Sequence, residues 1–253
     1  MIDGPATLDA ATVRSFADAR LWVLAAIAEA CARVGREPVA VRLVAVSKTV
    51  PAERVRAALA AGQVLFGENR VQEAQAKVAA VGAGEWHLIG PLQDNKARRA
   101  LETFQCIESV DSIGLARRLD RIVRELRGLA PDGVVAPERR FPVLLQVNVD
   151  GDPGKAGFAP ETLAAALAEL AGLGALRLDG LMTIGRLVVR PEDARSTFGA
   201  LRELSGRLRA AVPALGAALS MGMSDDYAVA VEEGATLVRV GRALFGERGT
   251  GAA

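Results

Sequence analysis

Short runs of β-branched and apolar residues alternate with longer helical patterns eight times along this chain, and no other feature restricts its fold as strongly. Candidate strands fall at Leu43 to Val46, Val64 to Phe66, His87 to Ile89, Cys106 to Val110, Val143 to Val149, Arg177 to Met182, Leu219 to Met221 and Leu237 to Val240. Helical patterns fill the intervals at about 52–61, 69–80, 94–103, 112–129, 160–171, 192–211 and 225–233. Such alternation builds a parallel sheet with crossover helices. Eight repeats close most simply into a single α/β domain, a (β/α)8 TIM barrel. One helix stands outside the repeat: residues 8–34 are amphipathic, precede the first strand and end near Gly35, where a C-terminal cap is expected. The segment Ala130 to Pro142, rich in Pro and Gly, reads as a surface loop, and no linker divides the chain. The expected organisation is therefore one domain over residues 1–253, with 1–38 as an N-terminal helical segment and 249–253 as a flexible tail.

Charge and cysteine content exclude several classes of function. Lys and Arg number 31 against 30 Asp and Glu, which leaves no global basic footprint for nucleic acid. Any anion site must be local. Cys31 and Cys106 are too few and too far apart for a disulfide framework or a zinc site, which fits a reducing cytosol. Both are expected to pack as small apolar side chains. No apolar run reaches the roughly 20 residues that span a bilayer, and Asp3 and Asp9 stand where a signal peptide would be basic. A cytoplasmic location without membrane contact is expected. His87 is the only histidine, so no two-histidine metal site can form and no metal is expected. A lone strand histidine also reads simply as a hydrogen-bonded core residue.

In such barrels the chemistry collects at the carboxyl ends of the strands. Strand one delivers Lys48 there, directly before Thr49-Val50-Pro51 and a helix. From position alone two readings stand: a solvated strand-end lysine, or an amine with apolar walls that attacks an aldehyde to form a Schiff base. The second strand contributes Gly67-Glu68-Asn69-Arg70 and the third His87, Ile89 and Gly90. The last two contribute Ser220-Met221-Gly222-Met223-Ser224-Asp225-Asp226 and Arg239-Val240-Gly241-Arg242. Glycine and serine at the ends of strands seven and eight, each with a helix following, are the elements of a barrel phosphate site. A phosphate site beside a reactive lysine points to pyridoxal 5′-phosphate (PLP).

The segments AVSKTVP, LFGENRVQEAQAK, WHLIGPLQDNK, VNVDGDPGKAGF, GLMTIG, LSMGMSDD and VRVGRALFGER, in this order between about residues 40 and 248, resemble those of the pyridoxal phosphate homeostasis protein family. The resemblance implies a barrel similar to the N-terminal domain of alanine racemases, of fold type III, with PLP held as an internal aldimine on Lys48. It also implies that Ser224, Gly241 and Arg242 surround the phosphate, that Arg239 faces the pyridine nitrogen, and that Asn69 and Met223 line the ring. His87 is counted with these as a candidate cofactor contact. Family members have no established turnover and buffer or deliver the cofactor. The expected partners are thus PLP and PLP-dependent apo-enzymes as recipients, for a monomer or weak dimer.

Two positions depart from the family pattern: Arg242 stands where Thr or Ser is usual, and Thr183-Ile184-Gly185-Arg186 replaces a proline-containing loop. A guanidinium at 242 can replace the lost hydroxyl contact. The alternative function is an amino-acid racemase or lyase. A permanent cation at Arg239 disfavours the protonated ring and weakens the cofactor as an electron sink, which suits carriage or racemisation better than transamination or decarboxylation. Racemisation needs a second acid/base, and the only tyrosine, Tyr227, reads as a packing residue. Asp225 and Asp226 read as helix-capping acids rather than a metal pair.

Overall fold

Eight parallel strands close into a barrel in the order of the chain. They are β1 (Arg42–Val46), β2 (Leu65–Glu68), β3 (Glu85–Leu88), β4 (Cys106–Val110), β5 (Phe141–Gln146), β6 (Leu176–Met182), β7 (Ala218–Ser220) and β8 (Leu237–Val240), with β8 paired back to β1. The helices are α1 (Ala10–Arg33), α2 (Ala52–Ala60), α3 (Val71–Val81), α4 (Ala97–Thr103), α5 (Ile113–Leu126), α6 (Pro160–Gly172), α7 (Arg195–Ala211), α8 (Tyr227–Glu232) and the single turn α9 (Arg242–Phe245). This computed structural model describes residues 8–131, 133–186 and 188–246, so the tail expected at 249–253 lies outside the described residues. Among the described residues no helix is long and apolar enough to cross a membrane.

The strand pattern follows the sequence reading, with β2 running on to Glu68, β3 starting two residues earlier at Glu85, and the largest correction at β5. This strand begins at Phe141, inside the stretch expected to be loop, and ends at Gln146 rather than Val149. Pro142 is tolerated because this end of β5 pairs with β6, while β4 joins only from Val143, so the missing N–H removes no required bond on that side. Beyond Gln146 the chain turns away. Val147 bridges Phe158, and the Asn148 amide donates to Asp152 O at 2.8 Å, folding residues 148–158 into a loop of their own. α3 also starts two residues later than expected, which leaves Asn69 in the strand-to-helix connection instead of a helical turn.

Successive strand residues point to opposite sides, so every second one faces the barrel axis. The outward residues join the helices in one large apolar core. Inside, two small clusters, Val44 with Leu65 and Leu237, and Cys106 with Leu144 and Met182, flank a line of polar side chains.

The extra helix α1 forms because Asp9 accepts from Ala11 N (3.2 Å) and Thr12 N (3.0 Å), and it ends as Gly35 takes φ +65°. Its buried stripe of Phe16, Val23, Ile27, Ala30 and Cys31 lies against α2, α8 and α9. Burying each large apolar side chain stabilises by about 1.5–3 kcal/mol. The Phe16 ring lies 5.1 Å from that of Phe245 in α9, and Arg36 donates to Ala235 O at 2.8 Å. α1 therefore covers the β8–β1 seam and braces the strand ends that carry Lys48 and Gly241.

Candidate functional site

A cavity of about 640 Å³ opens at the C-terminal mouth of the barrel, with Val46, Lys48, Asn69, Ile89, Ile184, Met223, Ser224, Asp225, Arg239, Gly241 and Arg242 in its walls. Lys48, Asn69, Met223, Ser224, Arg239, Gly241 and Arg242 are thus brought together from β1, β2, β7 and β8. A second pocket of about 430 Å³ adjoins it between Lys48 and Arg242.

Lys48 sits in a tight turn. Val50 N donates to Ser47 O at 2.9 Å, and Thr49, the third residue of the turn, has φ +63°. No other described non-glycine residue has a positive φ. A type II turn places glycine at this position by preference, and a β-branched residue there costs about 1–3 kcal/mol. The strain is held by a buried ion cluster. Lys77 Nζ donates to Ser47 O (2.5 Å), Glu68 Oε1 (2.7 Å) and Glu73 Oε1 (2.7 Å), while Ser47 Oγ donates to Glu68 Oε1 (2.7 Å) and Thr49 N to Glu73 Oε1 (2.6 Å). Burial raises the pKa of Glu68 despite the opposing hydrogen bonds from Lys77 and Ser47. At Glu73 burial acts in the same direction, but Lys77 and the Thr49 amide outweigh it and the pKa falls. Among the described residues nothing pairs with the Lys48 amine itself.

Arg239 closes the cavity floor. It is buried, and donates to Ser220 Oγ and to Thr183 O, both at 2.7 Å. Burial lowers its pKa, opposed by the charges of Glu108 and Asp226. From Ser220 the polar line runs down the barrel axis: Ser220 Oγ donates to Glu108 Oε2 (2.5 Å), Glu108 Oε1 pairs with His87 Nδ1 (2.6 Å), His87 Nε2 with Glu85 Oε1 (3.0 Å), and Glu85 Oε2 with Arg42 (2.5 Å). His87 is thus not at the cavity, where it was expected as a cofactor contact. It lines the opposite mouth with Arg42, Glu85 and Arg177. The reason is the strand period: on β3 the inward residues are Glu85 and His87, and only Ile89, the next inward position just past the strand end, is high enough to reach the cavity. Burial opposes charge on His87, but the hydrogen bonds and charges of Glu108 and Glu85 prevail and raise its pKa to about 9. It is a charged, doubly bonded core residue.

At the far wall Gly241 N donates to Ser224 Oγ at 3.3 Å, joining the β7 and β8 loops. Arg242 is exposed and forms an ion pair with Asp225. Asp226 does not cap α8 as expected; its carboxylate turns back and accepts from Met223 N at 2.6 Å, which fixes the loop that carries Met223 and Ser224. Asn69 is held by close packing: a Cβ on Gly90 would lie 2.4 Å from Asn69 O, so only glycine fits there. Lys155 lies outside the cavity walls, with its buried amine 3.7 Å from Asp152 Oδ2.

Residues 23–249 match the alanine racemase N-terminal domain family. The pyridoxal phosphate homeostasis protein of Pseudomonas aeruginosa is 45% identical over 232 residues, covering 91% of this chain and 94% of the relative. The chain belongs to the pyridoxal phosphate homeostasis protein family. A solved structure, PipY of Synechococcus elongatus with PLP bound, superposes with TM-score 0.74 at 44% identity, covering 87% of this chain and all of that one. Alanine racemase of Clostridium difficile shares the fold, with TM-score 0.67 at 15% identity over 92% of this chain and 58% of the enzyme.

Within this pyridoxal phosphate homeostasis family member, Glu73, Lys77 and Glu108 were not singled out in the sequence, and Glu68 and Ser220 were placed at strand ends without a role. One signal was available for Glu68: a carboxylate at the end of an otherwise apolar strand, with a lysine nine residues on, needs a partner. Glu108 carried a similar signal inside Cys106 to Val110.

Proposed function

We propose that this chain binds PLP in the C-terminal cavity, covalently through Lys48, and buffers or delivers it rather than consuming it in turnover. The observation that carries the reading is an amine with no ionic partner among the described residues, on the wall of a cavity whose other faces present the features of a phosphate and ring site. The residues fit the group. The Ser224 hydroxyl, the Gly241 backbone and the Arg242 guanidinium suit a phosphate. Asn69, Ile89 and Met223 offer polar and apolar walls to a flat ring.

When bound, the cofactor supplies an aldehyde carbon that takes up a primary amine as an imine with loss of water. Lys48 provides that amine and the Ser47–Val50 turn aims it. Arg239, held from below by Ser220 and Thr183, would present a fixed cation to the ring nitrogen: its N–H groups can hydrogen-bond to that nitrogen, but the guanidinium does not give up its proton to it. That environment supports storage over electron-sink chemistry. The racemase alternative lacks an obvious second base: Tyr227 is buried in the apolar core, its pKa raised by that burial, and it is not among the cavity walls. Recipients for the delivered cofactor would be PLP-dependent apo-enzymes.

Borohydride reduction of PLP-loaded protein followed by peptide mapping tests the covalent assignment. The label is expected on the peptide containing Lys48 and absent in Lys48→Ala, and a label elsewhere would refute it. Incubation with amino acids separates the two functions, since sustained turnover would overturn the carrier reading.

A further inference from the structure

We propose that Lys77, together with Glu68 and Glu73, is a positioning device for Lys48: a buried ion cluster that locks the Ser47–Val50 turn and so presents the Lys48 amine to the cavity. The inference rests on the reading of Lys48 as the cofactor lysine. The decisive feature is where the bonds go. One ammonium reaches the backbone on both sides of Lys48, directly at Ser47 O (2.5 Å) and, through Glu73 Oε1 (2.7 Å), at Thr49 N (2.6 Å from the same oxygen). Its third donor goes to Glu68 Oε1, which also accepts from Ser47 Oγ. All three ammonium donors are therefore spent on fixing this one turn.

Fold stability alone does not account for the cluster. Lys77 and Glu68 are buried, and Glu68 Oε2 has no hydrogen-bond partner among the described residues. Well-packed apolar residues would serve a barrel wall as well or better than an imperfectly satisfied ion pair. Apolar residues cannot bond the Ser47 carbonyl and the Thr49 amide. Those two bonds hold Thr49 in its left-handed conformation, from which a released turn would relax and swing the Lys48 side chain. Lys77 and Glu73 also belong to α3, which follows Asn69, so the same cluster ties the lysine loop to the loop that carries Asn69.

The test compares two ligands. PLP can bond covalently with Lys48, whereas pyridoxine 5′-phosphate has the same ring and phosphate but no aldehyde. In Lys77→Met, PLP affinity and the rate of borohydride trapping on Lys48 are expected to fall about tenfold or more, with pyridoxine 5′-phosphate affinity unchanged. Glu73→Ala is the companion variant; it keeps the buried Lys77–Glu68 pair, removes the bond to Thr49 N, and should show the same split to a smaller degree. In cofactor-free protein both variants should exchange the Thr49 and Val50 amide hydrogens faster while other barrel amides keep their protection. A parallel loss of both ligands, or no change in either variant, would overturn the inference. If the parent chain itself binds the two ligands equally and traps nothing on Lys48, the reading of Lys48 fails first and this inference falls with it.

Discussion

The two mouths of the barrel hold similar kinds of side chain and treat them in opposite ways. At the N-terminal mouth every ionisable group in the axial line is answered: Arg42 by Glu85, Glu85 by His87, His87 by Glu108, and Glu108 by Ser220. At the C-terminal mouth the cavity is open and the Lys48 amine has no partner among the described residues. The contrast shows that a charged residue inside a barrel is not in itself a mark of function. A paired charge holds the structure together, whereas an unpaired one beside open space is available to a ligand. Arg239 belongs to both regions, anchored from below through Ser220 and lining the cavity above.

The largest expected difference between the two mouths is in stability. His87→Ala leaves the fully buried Glu108 without its cation, and should cost about 3–5 kcal/mol in urea unfolding. Lys48→Ala breaks no pair and should stay within about 0.5 kcal/mol of the parent. Equal losses in the two variants would remove the distinction. The same line predicts a pH dependence. The pKa of His87 rises from 6.5 to about 9 on folding, so its stabilisation is complete below about pH 6.5 and is lost as pH rises through 9. The decline should be on the order of 3 kcal/mol in the parent and absent in His87→Ala. Glu85 acts at the other extreme. The His87 hydrogen bond, opposed by partial burial and aided by Arg42, lowers its pKa from 4.5 to about 2, so its contribution is present above pH 4.5 and disappears as pH falls toward 2.

Smaller effects sharpen the picture at the open mouth. Gly90→Ala drives a methyl group into Asn69 O and should cost about 1–3 kcal/mol, together with a loss of PLP affinity that Lys48 cannot compensate. Calorimetric titration with PLP would detect both the displaced Asn69 and its consequence; unchanged binding would remove Asn69 from the ring wall. Asp225→Asn releases Arg242 from its exposed ion pair. Such pairs are worth about 0.2–1 kcal/mol, so inorganic phosphate should bind a few-fold tighter at low salt, with the gain fading as salt is added. No gain would mean that Arg242 is not a phosphate contact.

Much of this molecule was determined by its sequence alone. Eight alternating apolar runs suffice for the barrel because period and run length are local properties, and Lys48, Ser224, Arg239 and Gly241 were legible because chain position places them at strand ends. Cys106 to Val110 and Leu237 to Val240 match their strands residue for residue. Tertiary structure alone decided which of these groups are free. It lowered His87 out of the site and enclosed it between Glu85 and Glu108, drew Asp226 back to Met223, paired Arg242 with Asp225, and brought Lys77 beneath the turn at Lys48. The physical reason is that an ion pair or hydrogen bond forms between residues remote in sequence, at distances of about 3 Å that no local pattern encodes. A sequence specifies which groups carry charge; the closed barrel determines which of those charges are neutralised.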